Sequence, residues 1–463
     1  MNISKSVIYL AWPVVLRLAF QMIVGIVDLA FVGSLGPAAI AAVGMGNNLL
    51  WFIVSTTTAF SVGATALVAQ NIGAKDNQQA EEVSRQSIMI TFLVATVIGI
   101  FALIFSKEII NLMIIGMENP DPLVIQHGTT YFRITAIAFP FFFTLMVLNG
   151  IMQGAGDMKT PLKIMFSINI FNIVFDYLLI FGIGPFPELG VAGAAIASTC
   201  ARLLAFSLAL YALLSGKTHL KISWPKKIKF NWQIISQISK IGLPAAGEHL
   251  VRNVGTTLMT MIAATLGTPA LAANLIVLRG ISIANMPAYG FSMAATTLVG
   301  QNLGAKKPKR AEKTGYTAVK IASIFMLVLG LAIFLLAKPL TMIFTSNLEV
   351  ITLAVNALRV ISLSLPFLGI LLTFAGALRG AGDTTWVMII TVLGVWGTRI
   401  ALAFLLAVIL KIGFVGIWIA FAIDFFVRAL LFYIRYSSGK WKEIKLRDEK
   451  QLNDNAKFEK ATI

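Results

Sequence analysis

Several stretches of this chain run for nearly the thickness of a lipid bilayer without one charged residue. Residues 88–105 and 321–337 are two of them. Each approaches the roughly 20 apolar residues that a helix needs to cross the hydrocarbon core. Reading the whole chain for mainly apolar runs of this length gives twelve candidates, at about 9–33, 42–71, 86–106, 126–152, 161–183, 190–214, 242–266, 273–301, 316–337, 350–378, 386–410 and 413–435. The composition agrees: 58% of residues are apolar and only 12% charged, about half the charge of a soluble domain. A soluble enzyme, a disordered chain and a disulfide-framed secreted module are thereby excluded. The one cysteine, Cys200, can form no internal disulfide. The first run is not expected to be a signal peptide, because it is too long, holds Pro13 and Arg17 and lacks a small-residue cleavage site. The expected fold is an all-α polytopic membrane protein with twelve transmembrane helices.

Basic residues fall mainly in alternate loops. The even-numbered loops carry Lys75, Arg85, Lys159, Lys163, the lysines from Lys217 to Lys240, then Lys306, Lys307, Lys309, Arg310, Lys313 and Arg379. The odd-numbered loops hold little beyond Lys107, Lys338 and Lys411. The positive-inside rule then places both termini and the even loops in the cytoplasm, in a cell (inner) membrane. The net charge of +17 is thus read as topology and contact with anionic lipid, with no nucleic-acid partner expected.

The chain is also duplicated. Gln70-Asn71-Ile72-Gly73-Ala74-Lys75 recurs as Gln301-Asn302-Leu303-Gly304-Ala305-Lys306, an offset of 231, and Pro13 maps onto Pro244 at the same offset. Gly154-Ala155-Gly156-Asp157 recurs as Gly380-Ala381-Gly382-Asp383 at 226, and Gly190 and Gly193 map onto Gly413 and Gly416 at 223. Ordered landmarks with slowly drifting offsets mark a true repeat. Six helices per half insert in one orientation, so the two lobes are related by a pseudo-two-fold axis along the membrane normal. The expected layout is an N-terminal lobe over 1–215, a linker over 216–240, a C-terminal lobe over 241–436 and a basic tail over 437–463.

Polar residues that break this symmetry are the candidates for function. Asp28 lies within the first helix, and its repeat mate is Met259, so the fold itself needs no acid there. A charge at mid-membrane costs about 2.5–3.5 kcal/mol on insertion scales and requires compensation. Gln21 precedes it by two turns on the same face. Asn172 and Asp176 share one face of the fifth helix, and Ser198 adds a hydroxyl from the sixth. These are hard oxygen ligands of the kind that hold Na⁺, and the carboxylates equally take protons. Asn149 stands where the other half has Ala375. Asn149 and Ser198 also read as simple helix-to-helix bonding groups. In the second half, Glu248 with Arg252 and Asp424 with Arg428 read as intrahelical ion pairs. Asp424 is expected near a membrane end, and Glu248 is a candidate contact for a cationic substrate.

The ordered set Val27-Asp28, Val32-Gly33-Ser34-Leu35-Gly36, both Gln-Asn-x-Gly-Ala-Lys segments, Gln153-Gly154-Ala155-Gly156-Asp157, Asn172-Ile173-Val174-Phe175-Asp176 and Gly190 to Ser198 resembles the multidrug and toxic compound extrusion (MATE) family from about Ile8 to Arg435. The resemblance implies a two-lobe exporter that expels organic cations and other drugs in exchange for Na⁺ or H⁺, with no cofactor and as a monomer. It implies a coupling-ion site at Asp28, Asn172, Asp176 and Ser198, with Ser in place of the family's Thr. Many relatives have Pro after the fifth-helix Asp, where this chain has Tyr177.

Other classes fit less well. A lipid-linked sugar flippase would use basic residues such as Arg252, Arg279 and Arg399 on a pyrophosphate. An intramembrane aspartyl protease shares Gly-x-Gly-Asp, but here the motif is duplicated beside loop residues and reads as a turn and helix start. No Walker A segment is present for an ATP-driven pump. His127, His219 and His249 are unclustered, which argues against a metal enzyme. Nothing resembles a channel filter.

Overall fold

A computed structural model describes residues 2–115, 121–224 and 229–444. Ten helices in it are long and apolar enough to cross a membrane. These are Ile3–Gly33, Pro37–Gly73, Asn77–Ile104, Lys159–Phe181, Gly190–Leu214, Thr268–Gly304, Pro308–Leu335, Leu348–Ala381, Thr384–Ile409 and Phe414–Ser437. Pro122–Ile137 and Phe139–Gly154 form an eleventh span broken by a 54° bend. Pro140, two residues into the second piece, explains the break, since its ring displaces the carbonyl one turn back and it donates no N–H. Its repeat mate Pro366 sits inside the unbroken helix Leu348–Ala381. The remaining span, Trp232–Thr265, seventh in chain order, has 34 residues, but Lys240, Glu248, His249 and Arg252 dilute its apolar character.

Helices begin and end differently from the sequence reading at several points. The first span starts at Ile3, not near residue 9. The seventh begins at Trp232, capped by Asn231, so the linker ends earlier than residue 240 and Lys240 is helical. Arg379, counted among the loop cations, is a buried residue of the tenth span. The tail is not simply a solvated basic segment. Trp441 is buried, stacks on Tyr436 at 4.6 Å and donates its indole N–H to the Tyr436 carbonyl at 2.7 Å. The remainder, 445–463, lies outside the described residues.

Both duplicated motifs have a clear structural use. Each Gln-Asn-x-Gly-Ala-Lys segment ends a helix. Lys75 and Lys306 adopt left-handed φ values of 62° and 56°, and the N–H groups of Asp76 and Lys307 return to the Asn71 and Asn302 carbonyls. This is the bonding of a Schellman helix stop. Each Gly-Ala-Gly-Asp segment is a turn, with Gly156 at φ 89° and Gly382 at φ 87°. Asp157 then caps the next helix by accepting from the N–H groups of Lys159 and Thr160 at 3.1 and 3.0 Å. That leaves it a turn residue, as expected, and not a protease acid.

The two lobes meet at the face that carries the chain termini, and the repeat motifs form the contact. Gln70 donates to the Gly380 carbonyl at 3.2 Å, and its mate Gln301 donates to the Gly154 carbonyl at 3.0 Å. Gly380 is itself the mate of Gly154, so the two bonds are one interaction repeated by the pseudo-two-fold axis. Gly73 lies directly against the Gln301 backbone and Gly304 against that of Gln70. A side chain at either glycine would overlap the opposite main chain. Gly73→Ala and Gly304→Ala are expected to cost about 1–3 kcal/mol through this overlap, seen as a lower unfolding temperature in detergent. Gly44→Ala, with open space around it, is expected to show no loss.

Candidate functional site

Register between the first and fifth spans brings the N-lobe acids together. Phe20 packs on Phe166 at 5.3 Å, and eleven residues further along each helix Phe31 packs on Tyr177 at 5.9 Å. The two helices therefore run side by side in parallel. Asp28, eight residues past Phe20, comes level with residue 174, between Asn172 and Asp176. Asp28 and Asp176 thereby come close enough for each carboxyl group to feel the other. Tyr177, where many relatives have Pro, leaves the fifth span an unbroken helix and serves as one of these packing rings.

Burial makes this pairing consequential. Asp176 is 1% and Asn172 7% exposed. Asp28 Oδ1, Asn172 Nδ2 and both Asp176 oxygens are buried without a hydrogen-bond partner. Two facing carboxylates offer acceptors only, a donor set that a proton or a metal cation would complement. Oxygen donors from three residues suit a hard monovalent ion such as Na⁺. Ser198, half-buried on the sixth span that packs beside the fifth, makes no hydrogen bond among the described residues and keeps its hydroxyl available.

Two further residues belong to this neighbourhood. Arg202 and Tyr131 lie close enough to interact electrostatically with both acids. The Arg202 guanidinium covers the Phe142 ring at 4.9 Å and leaves Nη1 unpartnered. Arg202 follows Ser198 by one turn and so shares its face, a spacing that could have revealed it in the sequence. Two carboxylates against one guanidinium leave a formal charge of one negative.

The other candidates lie elsewhere. Gln21 exposes its side chain two turns from Asp28, and Asn149 is half-buried without a hydrogen bond among the described residues. Glu248 is buried, and its main partner is not Arg252, 3.9 Å away, but Arg379, whose Nη2 reaches both carboxylate oxygens at 2.7 and 2.6 Å. Asp424 is fully buried ten residues after Phe414 in the 24-residue last span, so it is central and not near a membrane end. It accepts from Arg428, as expected, and also from Arg399, with the nearest approaches at 2.6 and 2.5 Å. Arg399 reaches it from a stretch of π-helix, Leu393–Ile400, and lies 3.9 Å over the Phe421 ring.

Comparison with known proteins places the chain. Residues 13–178 and 244–405, the cores of the two halves, match the MatE family. The chain belongs to the MatE family. MatE members are membrane transporters and not enzymes. The probable multidrug resistance protein NorM of Thermotoga maritima is 30% identical over 444 residues, 96% of this chain and 94% of that protein. An FAD transporter of Shewanella oneidensis is 28% identical over 354 residues, 76% of each chain. A crystal structure of MATE in complex with MaD3S shares the fold with a TM-score of 0.87 at 23% identity, covering 95% of this chain and 97% of that one. The MatE fold thus accounts for the two six-helix lobes and the multi-pass membrane embedding.

The Arg399–Asp424–Arg428 cluster yields a stability prediction. Asp424→Asn leaves two buried guanidinium groups without their anion. It is expected to destabilise the C-lobe by about 3–5 kcal/mol, measured as a loss of folded protein on heating in detergent.

Proposed function

We propose that this MatE transporter is a secondary multidrug exporter that exchanges organic, mostly cationic, drugs for a monovalent cation. The coupling cation, Na⁺ or H⁺, is taken up at Asp28, Asn172, Asp176 and Ser198. One observation carries this reading: two facing carboxylates, Asp176 buried and Asp28 half-buried, whose Asp28 Oδ1 and Asp176 oxygens have no donor, in a cluster one positive charge short of neutral. Either ion supplies the missing charge. The multidrug assignment draws on the NorM relative.

The mechanism follows from linkage between the two ligands. Neutralising the acids removes the field that attracts a cationic drug, so cation uptake and drug binding oppose one another. The lobes, closed together at the termini face, present the outward-facing half of an alternating-access cycle, with that face in the cytoplasm of the inner membrane. Opening inward then requires the Gln70 and Gln301 bonds to break together. The protein acts as a monomer, since each chain holds both lobes. The flippase reading loses one of its arginines, because Arg399 is committed to Asp424.

Purified protein in proteoliposomes, with an imposed Na⁺ or pH gradient and ethidium as cargo, tests the proposal. Wild type should move ethidium under one of the gradients. Asp28→Asn and Asp176→Asn should fold normally yet lose gradient-driven efflux. Met259→Leu, at the repeat position of Asp28, should transport as wild type, because the swap conserves volume in the core. Normal coupled efflux by both Asn variants would remove the carboxylates from the mechanism.

A further inference from the structure

One face of the ninth span, Pro308–Leu335, carries positive charge that the fold does not use. A groove of about 390 Å³ runs along it at the termini face, lined by Lys309, Glu312, Lys313, Tyr316, Thr317 and Lys320. These positions recur every three or four residues, so they share one helix face, about 16 Å long from Lys309 to Lys320. The three lysines are exposed and form no ion pair among the described residues. Glu312 is the one acid of the groove, and Lys442 of the tail holds it at 2.8 Å. With that pair neutral, the groove keeps a formal charge of three positive. Tyr316 is fixed within it by edge-on packing against Tyr436 at 5.2 Å and Phe374 at 5.9 Å.

The duplicated half supplies a control. At the offset of 231, Lys309, Lys313 and Lys320 map onto Gln78, Glu82 and Met89, so this helix needs none of the three lysines for the fold. The N-lobe copy of the face is also occupied by protein. Arg85 donates to the Ser223 carbonyl at 2.9 Å, Glu81 accepts from the Ser223 N–H at 2.7 Å, and Gln86 donates to the Lys229 carbonyl at 2.8 Å. The linker thus covers the first copy of the groove. Over the second copy, Lys442 reaches Glu312 and the lysines stay exposed.

The groove leads into an apolar surface. Lys320 is the last charged residue before the charge-free run 321–337. Beyond it, Ile324, Leu327, Val328, Leu331 and Leu335 continue the same helical stripe and are 50–74% exposed. On a membrane helix such a stripe faces lipid chains. Ammonium groups form strong charge-assisted bonds to phosphate, and the long stem of Lys320 lets its charge rise from the hydrocarbon edge. Cations followed by aliphatic side chains on one face match the two parts of a phospholipid. A soluble anion would use the first and leave the second idle.

We infer that this groove binds the headgroup phosphate of an anionic phospholipid, with Lys309, Lys313 and Lys320 as its cations and the lipid chains along Ile324 to Leu335. The tail serves the site by cancelling Glu312 through Lys442. The inference concerns the lipid-facing surface of the C-lobe and stands apart from the transport reading.

Lipid binding to the purified full-length protein, followed by native mass spectrometry in detergent, tests it. Phosphatidylglycerol and phosphatidylcholine are titrated separately. Wild type should bind the first phosphatidylglycerol more tightly than the first phosphatidylcholine. Lys309→Gln, Lys313→Gln and Lys320→Gln should each weaken phosphatidylglycerol about fivefold, and the triple variant should lose the preference. All three side chains are exposed, so the unfolding temperature should stay that of wild type. Lys442→Gln, which uncovers the Glu312 charge, should also weaken binding, and adding Glu312→Gln should restore it. Lys107→Gln, an exposed lysine at the opposite face, should bind as wild type. Equal binding of the two lipids by wild type, or an unchanged preference in the triple variant, overturns the inference. Displacement of phosphatidylglycerol by an equal concentration of glycerol phosphate overturns the lipid assignment in favour of a soluble phosphate.

Discussion

A polar side chain inside a membrane bundle must find a partner within the protein, and the whole arrangement of this molecule follows from where that rule is met and where it is left open. In the C-lobe it is met. Asp424 is enclosed by Arg399 and Arg428, and Glu248 by Arg379. In the N-lobe it is not, since carboxylate oxygens of Asp28 and Asp176 and the amide nitrogen of Asn172 are left without partners. Satisfied clusters rigidify a lobe, whereas an unsatisfied one changes its energy whenever a cation arrives or leaves. In the proposed cation exchange, the asymmetry between two copies of one half is what makes the N-lobe responsive.

Symmetry does the opposite work at the contact between the lobes. The helix-ending Gln-Asn-x-Gly-Ala-Lys segments meet there, each glutamine bonding a glycine carbonyl of the other lobe. Because the two bonds are equivalent, they form and break around one axis. Glycine lets the backbones approach closely enough for this. Thr297 to the Gln153 carbonyl and Asn253 to Ser55 add two further hydrogen bonds between the lobes, so the closure rests on a few bonds and tight packing.

Much of the fold was legible in the amino-acid order. Long, mainly apolar runs mark eleven of the spans, because transfer of apolar residues to lipid is a local property. The seventh was found despite four charged or imidazole-bearing residues, with help from its repeat mate. Its start was misplaced because Trp232–Ile241 is amphipathic and lies on the bundle. The bend at Ala138 was not foreseen, since Pro140 and its mate Pro366 sit in equivalent sequences but in different packing.

The candidate cation residues could be named from the chain alone because an acid at mid-membrane is costly wherever it falls, and because the duplicated half supplies a control at each position. What they face could not. Asp28 and Asp176 are 148 positions apart, and only the aromatic register of the first and fifth spans sets them level. Spacing within one helix suggested Arg252 as the partner of Glu248, yet helix rotation turns the carboxylate to Arg379, 131 residues away. Sequence by itself determined the membrane class, the duplication and which polar residues break its symmetry, all properties of composition and local order. Tertiary structure alone decided which charges are paired and which are open, because that depends on the rotation and register of helices against one another.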